Sequence, residues 1–220
     1  TVAVNRVLKL AQGGMVAAAA GLLAPMAVAV LVAAPAAAQN YSPGYQFLEA
    51  VKKKDGETVI RMLDEPGGST IINSRDISDG HNALHIAVER RDVTWINFLA
   101  GRGANTNLAN NRGVTPLLRA VQIGFDEGVA ALVRAGARVD DQNQAGETPL
   151  MSAVHQRDTG LMRVLLEAGA DPERVDNSGR SARDYAKLDG NSSVTLAEID
   201  RSARPAGERE GTARSYGPSF

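Results

Sequence analysis

The residues able to carry chemistry are few. The chain has three imidazoles, His81, His85 and His155. His81 falls beside a turn glycine, His155 falls near the end of a helix, and no HExxH motif occurs, so the histidines are not read as a metal site. Asp140-Asp141 is a paired carboxylate, but it lies in a polar stretch and is expected to be a solvated turn rather than a general acid/base pair. There is no cysteine, hence no disulfide, thiolate metal site or cysteine nucleophile. No G-x-S-x-G, phosphate loop or dinucleotide glycine pattern is present. Trp95, the one tryptophan, is expected to pack on a helix. The expectation is a non-catalytic chain, with no catalytic, cofactor-binding or metal residue.

The elements that must position these side chains repeat. Leu84, Leu117 and Leu150 are 33 residues apart, as are Ala87, Ala120, Ala153 and Ala186, and Gly80, Gly113, Gly146 and Gly179. Gly103, Gly136 and Gly169 keep the same step, each followed by alanine. Such a period denotes a stacked repeat architecture. Within each unit Asn82, Thr115, Thr148 or Ser181 can cap a helix N-terminus. Pro116 and Pro149 follow at the first helical position, where a missing N–H costs nothing. Leucine and alanine three residues apart share a helix face, and the alanine lets a neighbouring helix approach. Second helices are predicted over Val93–Leu99, Glu127–Val133 and Leu161–Leu166, ending at the 103/136/169 glycines. The Asn- and Asp-rich stretches that follow suit tight hairpin turns.

Thr115-Pro116-Leu117-Leu118-Arg119-Ala120 and Thr148-Pro149-Leu150-Met151-Ser152-Ala153 resemble the first-helix motif of the ankyrin-repeat family. Leu165-Leu166-Glu167-Ala168-Gly169-Ala170-Asp171 resembles its second-helix ending. The resemblance implies an all-α solenoid of helix-turn-helix units with β-hairpin-like turns, about five units over 44–76, 77–109, 110–142, 143–175 and 176–200. It also implies that His85, at the family's usual histidine position, bonds neighbouring backbone. The departures are specific. Unit one has a loop Asp64–Ser74 about four residues long in excess, because Ala50 to Ala87 is 37 residues. Unit five has Arg183 where a leucine would be buried, which suits a polar terminal cap.

Residues 1–38 read differently. Arg6 and Lys9 precede an apolar, alanine-rich run that ends Pro35-Ala36-Ala37-Ala38. A basic start, an apolar middle and a small-residue ending are the parts of a secretory signal. An uncleaved membrane anchor is the alternative. Residues 39–43 form a short leader, and 201–220, with four arginines against two glutamates, are expected to be a disordered tail. The formal charge of −1 makes no case for nucleic acid. Removing residues 1–38 would make it −3. A periplasmic monomer that binds another protein is expected, or, if the segment stays, a scaffold anchored in the inner membrane. By analogy with exported bacterial members, a protective accessory role toward an envelope enzyme or toxin is also open.

The resemblance implies a partner surface on the hairpin tips and outer ends of the first helices. On this chain those positions are Ser78, Asp79, His81, Glu89 and Arg90 in unit two; Asn111, Arg112, Val114, Gln122 and Ile123 in unit three; Gln144, Ala145, Glu147, His155 and Gln156 in unit four; and Asn177, Ser178 and Arg180 in unit five. Val114 and Ile123 are expected to form a small exposed apolar centre within a polar rim.

Overall fold

The computed structural model describes residues 41–188 and 192–205. The expected signal segment and most of the expected tail lie outside them. Five helix pairs follow one another: α1 (Pro43–Lys52) with α2 (Gly56–Asp64), α4 (Ala83–Glu89) with α5 (Val93–Gly101), α6 (Pro116–Gln122) with α7 (Asp126–Arg134), α8 (Pro149–His155) with α9 (Thr159–Glu167), and α10 (Ala182–Leu188) with α11 (Ser192–Ser202). A single turn, α3 (Gly68–Ile71), interrupts the first connection. First helices pack on first helices throughout, and second helices on second helices from α5 onward, so the stack has two layers. No strand occurs among the described residues. The hairpin-like turns contribute one isolated bridge, Val175 to Ser181.

The caps act as their residue types require. The side chains of Asn82, Thr115 and Thr148 accept from the backbone N–H three residues on, and the Ser181 hydroxyl accepts from Asp184 at 3.1 Å. Second helices use aspartate for the same purpose: Asp55, Asp92 and Asp158 cap α2, α5 and α9. Phe125 holds this position in unit three and supplies no cap bond.

Leu84, Leu117 and Leu150 are at most 1% exposed, and Ala87, Ala120, Ala153 and Ala186 are fully buried. Each leucine contributes about 1.5–3 kcal/mol through burial, and the alanines keep the layer of first helices thin. The long connection of unit one is more ordered than an irregular loop. Its extra residues form α3, and Ile72 behind it is buried in the core. Arg183 stays half-buried because its guanidinium pairs with Glu173 at 2.6 Å and with Asp200 of α11. The terminal helix runs to Ser202, and Ala203 packs against the core, so order extends past the boundary read at residue 200.

Candidate functional site

Between each second helix and the next first helix the chain makes a finger. An Asn or Asp at its base accepts backbone N–H groups with its own side chain, bending the chain into a turn. Asn110 Oδ1 accepts from Arg112 and Val114 at 2.9 and 3.0 Å, Asn143 Oδ1 from Ala145 and Glu147 at 2.9 and 3.0 Å, and Asp176 Oδ1 from Ser178 and Arg180 at 2.8 and 3.1 Å. Asp76 does the same for Ser78 at 2.9 Å. The Tyr185 and Ser178 hydroxyls, both donating to the Asp176 carboxylate, hold it well below the usual carboxylate range. Each turn closes on a left-handed glycine; a side chain on Gly113 or Gly146 would also strike the backbone of the next finger, at 2.9 and 2.6 Å.

The fingers are stitched together. Asn111 N–H donates to the Asp79 carbonyl at 2.9 Å, Gln144 N–H to Arg112 at 3.1 Å, and Asn177 N–H to Ala145 at 3.2 Å. The side-chain amides of the same three residues donate to the carbonyls of Ser78, Asn111 and Gln144 at 3.3, 2.8 and 2.9 Å. Asn111, Gln144 and Asn177 therefore tie finger to finger, in addition to standing in the row of binding candidates. A second ladder runs behind: Asn73, Asn107 and Asp140 side chains accept the N–H groups of Asn105, Arg138 and Asp171 at 2.8–2.9 Å. Asp140 is thus an inter-repeat staple, its pKa raised mainly by burial, while Asp141 takes a two-pronged bond from Arg138 at 2.8 Å. The expected solvated carboxylate turn is instead two separately occupied groups.

Several candidate positions are not where the sequence placed them. Val114 is 6% exposed and Ile123 half-buried against the core, so the exposed apolar centre is absent. Val114 turns inward because its carbonyl is fixed by His85, whose Nε2–H donates to it at 2.9 Å. Arg90 is drawn into the fold: its guanidinium donates to the Val51 carbonyl and stands 5.4 Å over Trp95. Glu89 is bound to Arg119 at 2.6 Å, Gln156 to the Val121 carbonyl at 2.9 Å, and Glu147 to Asn143 at 2.8 Å and Gln122 at 3.5 Å. His155 is exposed with its ring edge-on to Tyr185 at 4.5 Å.

His85 is fully buried. Its Nδ1 faces the Asn82 N–H at 3.3 Å, and burial pushes its pKa down to about 4. It is a neutral structural linker between two repeats, as the resemblance implied. His81 lies four residues before it, so the two do stand at an i, i+4 spacing, contrary to the expectation that no histidine pair has it, and the rings stack in parallel with centroids 4.8 Å apart. His81 pairs with Asp79 at 3.3 Å, and no group of three or more metal-ligating side chains forms among the described residues.

One surface residue was missed. Finger two carries an additional residue, Ile77, which is 95% exposed. The signal is in the spacing: Asn110, Asn143 and Asp176 are 33 apart, whereas Asp76 to Asn110 is 34. Beside it, Tyr45 and Leu48 line a shallow depression of about 150 Å³. A second depression, of about 290 Å³, is lined by Arg112, Val114, Arg119, Gln122, Gln144 and Ala145.

Stacked helix pairs with a stitched row of projecting fingers define a helical-repeat solenoid whose tips form one continuous surface. Family models for ankyrin repeats match residues 47–143, as three copies, and 132–186. The chain belongs to the ankyrin-repeat family, and its repeats are a protein–protein interaction module. It is 31% identical over 143 residues to an ankyrin repeat-containing protein of Treponema pallidum, covering 64% of this chain and 47% of that one. It is 47% identical over 51 residues to an ankyrin repeat protein of Fowlpox virus (23% and 15% covered). It is also 30% identical over 120 residues to an E3 ubiquitin-protein ligase of Arabidopsis thaliana (52% and 7%). The chain spans less than half of each of these relatives. The family is in general a non-catalytic scaffold.

Proposed function

We propose that this chain binds a partner protein along its finger tips and the adjoining ends of its first helices, without catalysing a reaction. The observation that carries the reading is the stitched row of fingers. Backbone groups and the Asn111, Gln144 and Asn177 amides fix the tips to one another, leaving Ile77, Asp79, Arg112, Ala145 and Ser178 outward at fixed register. A preorganised surface loses little entropy when a partner settles on it. Ile77 supplies the exposed apolar anchor that the sequence assigned to Val114 and Ile123.

The place of action we propose is the periplasm. This rests on the basic, apolar and A-x-A pattern of residues 1–38. If that segment stays attached, the same surface belongs to an inner-membrane scaffold facing the periplasm. Protection of an envelope enzyme or toxin fits either form.

A bulky charge at an outward tip tests the surface. Ala145→Glu should weaken capture of the periplasmic partner at least tenfold, and Glu167→Arg at an exposed position of α9 should leave it unchanged. Both should stay within about 0.5 kcal/mol of the parent in stability. Loss of capture with Glu167→Arg alone would move the partner to the opposite layer. Fractionation in a Gram-negative host, with the product's N-terminus determined, tests location: a soluble product starting near Gln39 supports export, and a membrane-bound one retaining residues 1–38 supports the scaffold.

A further inference from the structure

The charges on the finger face are unequally committed. Every carboxylate along it has a partner within the protein: Asp76 with Lys52 and Ser78, Asp79 with His81, Glu89 with Arg119, Glu147 with Asn143, and Asp176 with Tyr185. Of the arginines, Arg75 donates to Asn111 and the Gly80 carbonyl, and Arg119 is held by Glu89. Arg112 and Arg180 are different. Both are exposed, and neither guanidinium makes a hydrogen bond or ion pair among the described residues. Arg112 lines the 290 Å³ depression with Gln122 and Gln144, and Arg180 occupies in finger five the position Glu147 has in finger four. The fingers as a whole are near neutral, yet the two uncommitted charges on them are both positive and both forked donors suited to carboxylates.

We infer that the partner presents an extended acidic segment whose carboxylates pair with Arg112 and Arg180. This rests on the finger-face reading above. The two arginines stand two repeats apart. Neighbouring helices pack about 10 Å apart, so the guanidinium bases are separated by roughly 20 Å. An extended chain rises about 3.3 Å per residue, which places the two carboxylates about six residues apart. A phosphorylated or nucleic-acid ligand is a poorer match, because single guanidiniums so far apart cannot converge on one phosphate or neutralise a backbone of closely spaced charges.

The test is selection of a random dodecapeptide library displayed on phage against the full chain, followed by titration of synthetic copies of the enriched peptides. The expected result is enrichment of peptides with two Asp or Glu five to seven residues apart. Their affinity should fall about fivefold for Arg112→Ala or Arg180→Ala and at least tenfold for both, since about 1.4 kcal/mol is tenfold. It should also weaken as salt rises. In the Arg112→Glu, Arg180→Glu double variant the selected charge should invert to Lys or Arg. Enriched peptides without acidic pairs, blocked by Ala145→Glu but indifferent to both arginines, would overturn this inference and leave the finger face standing. Peptides indifferent to Ala145→Glu as well would remove both readings. A selection that enriches nothing also overturns the inference, because a preformed acidic-segment reader should retain one.

Discussion

Replacing His85 with glutamine probes the link between units two and three. The imidazole is fully buried, donating through Nε2 to the Val114 carbonyl and accepting from the Asn82 N–H. Glutamine can keep one of these contacts, so the variant should lose about 1–3 kcal/mol at pH 7.5, the cost of a buried polar group left unmade. The more telling quantity is the pH dependence. Burial lowers the His85 pKa from 6.5 to about 4. Above pH 6.5 neither folded nor unfolded chain protonates it, and its contribution is complete. Below 6.5 the unfolded chain takes up a proton that the folded chain refuses, so stability is lost as pH falls toward 4. At about 1.36 kcal/mol per unit the loss at pH 5 is about 2 kcal/mol. Glutamine does not titrate. Urea unfolding of both proteins should therefore show the wild-type advantage shrinking by about 2 kcal/mol between pH 7.5 and 5. Carboxylates away from the replaced side chain, including the raised Asp140 and Asp126, largely cancel in the difference. Parallel stability–pH curves would refute the buried neutral imidazole.

Three further outcomes are expected. Ala120→Leu should destabilise by about 1–3 kcal/mol in a thermal melt, because the first helices leave no room at this fully buried position; an unchanged melting curve would count against the stacking. Asn110→Ala should cost about 1–2 kcal/mol in urea unfolding, since the buried Val114 N–H and the Arg112 N–H both lose their acceptor. Gln144→Ala should cost about 0.5–1 kcal/mol, because its amide bond to the Asn111 carbonyl is exposed; a loss of partner binding larger than that of Arg112→Ala would show that the stitch matters to the surface as well as to the fold.

What the sequence made legible is what the repeat enforces. The 33-residue ladders, the Thr-Pro caps and the Leu–Ala faces are local and periodic, and the structure places each as read. The surface was less legible, because exposure there depends on contacts between repeats. Val114 looks outward by sequence position, but the His85 bond from the preceding repeat turns it in. Asn111 and Gln144 read as free polar tips, but their amides reach the neighbouring finger. Ile77 could have been found from the 34-residue step between finger bases, a signal that glycine spacing masks because Gly80 to Gly113 remains 33. The Asp55, Asp92 and Asp158 caps were also readable, and their interruption at Phe125 points to the most irregular unit.

That interruption has a physical counterpart three residues on. Where units two and four carry an aspartate cap followed by Trp95 or Leu161, unit three carries Phe125 followed by Gly128. A Cβ at Gly128 would lie 2.3 Å from the Phe125 ring, which is itself 4% exposed and has Arg91 5.7 Å from its centroid. The aromatic ring thus fills the space a large side chain at the later position fills elsewhere, and the glycine is the consequence. Phe125→Asn alone should lose about 3–5 kcal/mol of aromatic burial and regain about 1 kcal/mol from the restored cap; asparagine avoids adding charge beside Asp126, whose pKa burial already raises. Gly128→Leu alone should also destabilise, by overpacking against the ring. Together they should lose about 2–3 kcal/mol less than the sum of the two single losses, a coupling at the upper end for residues in contact. Additive losses in the double-mutant cycle would mean that Phe125 and Gly128 do not share one volume.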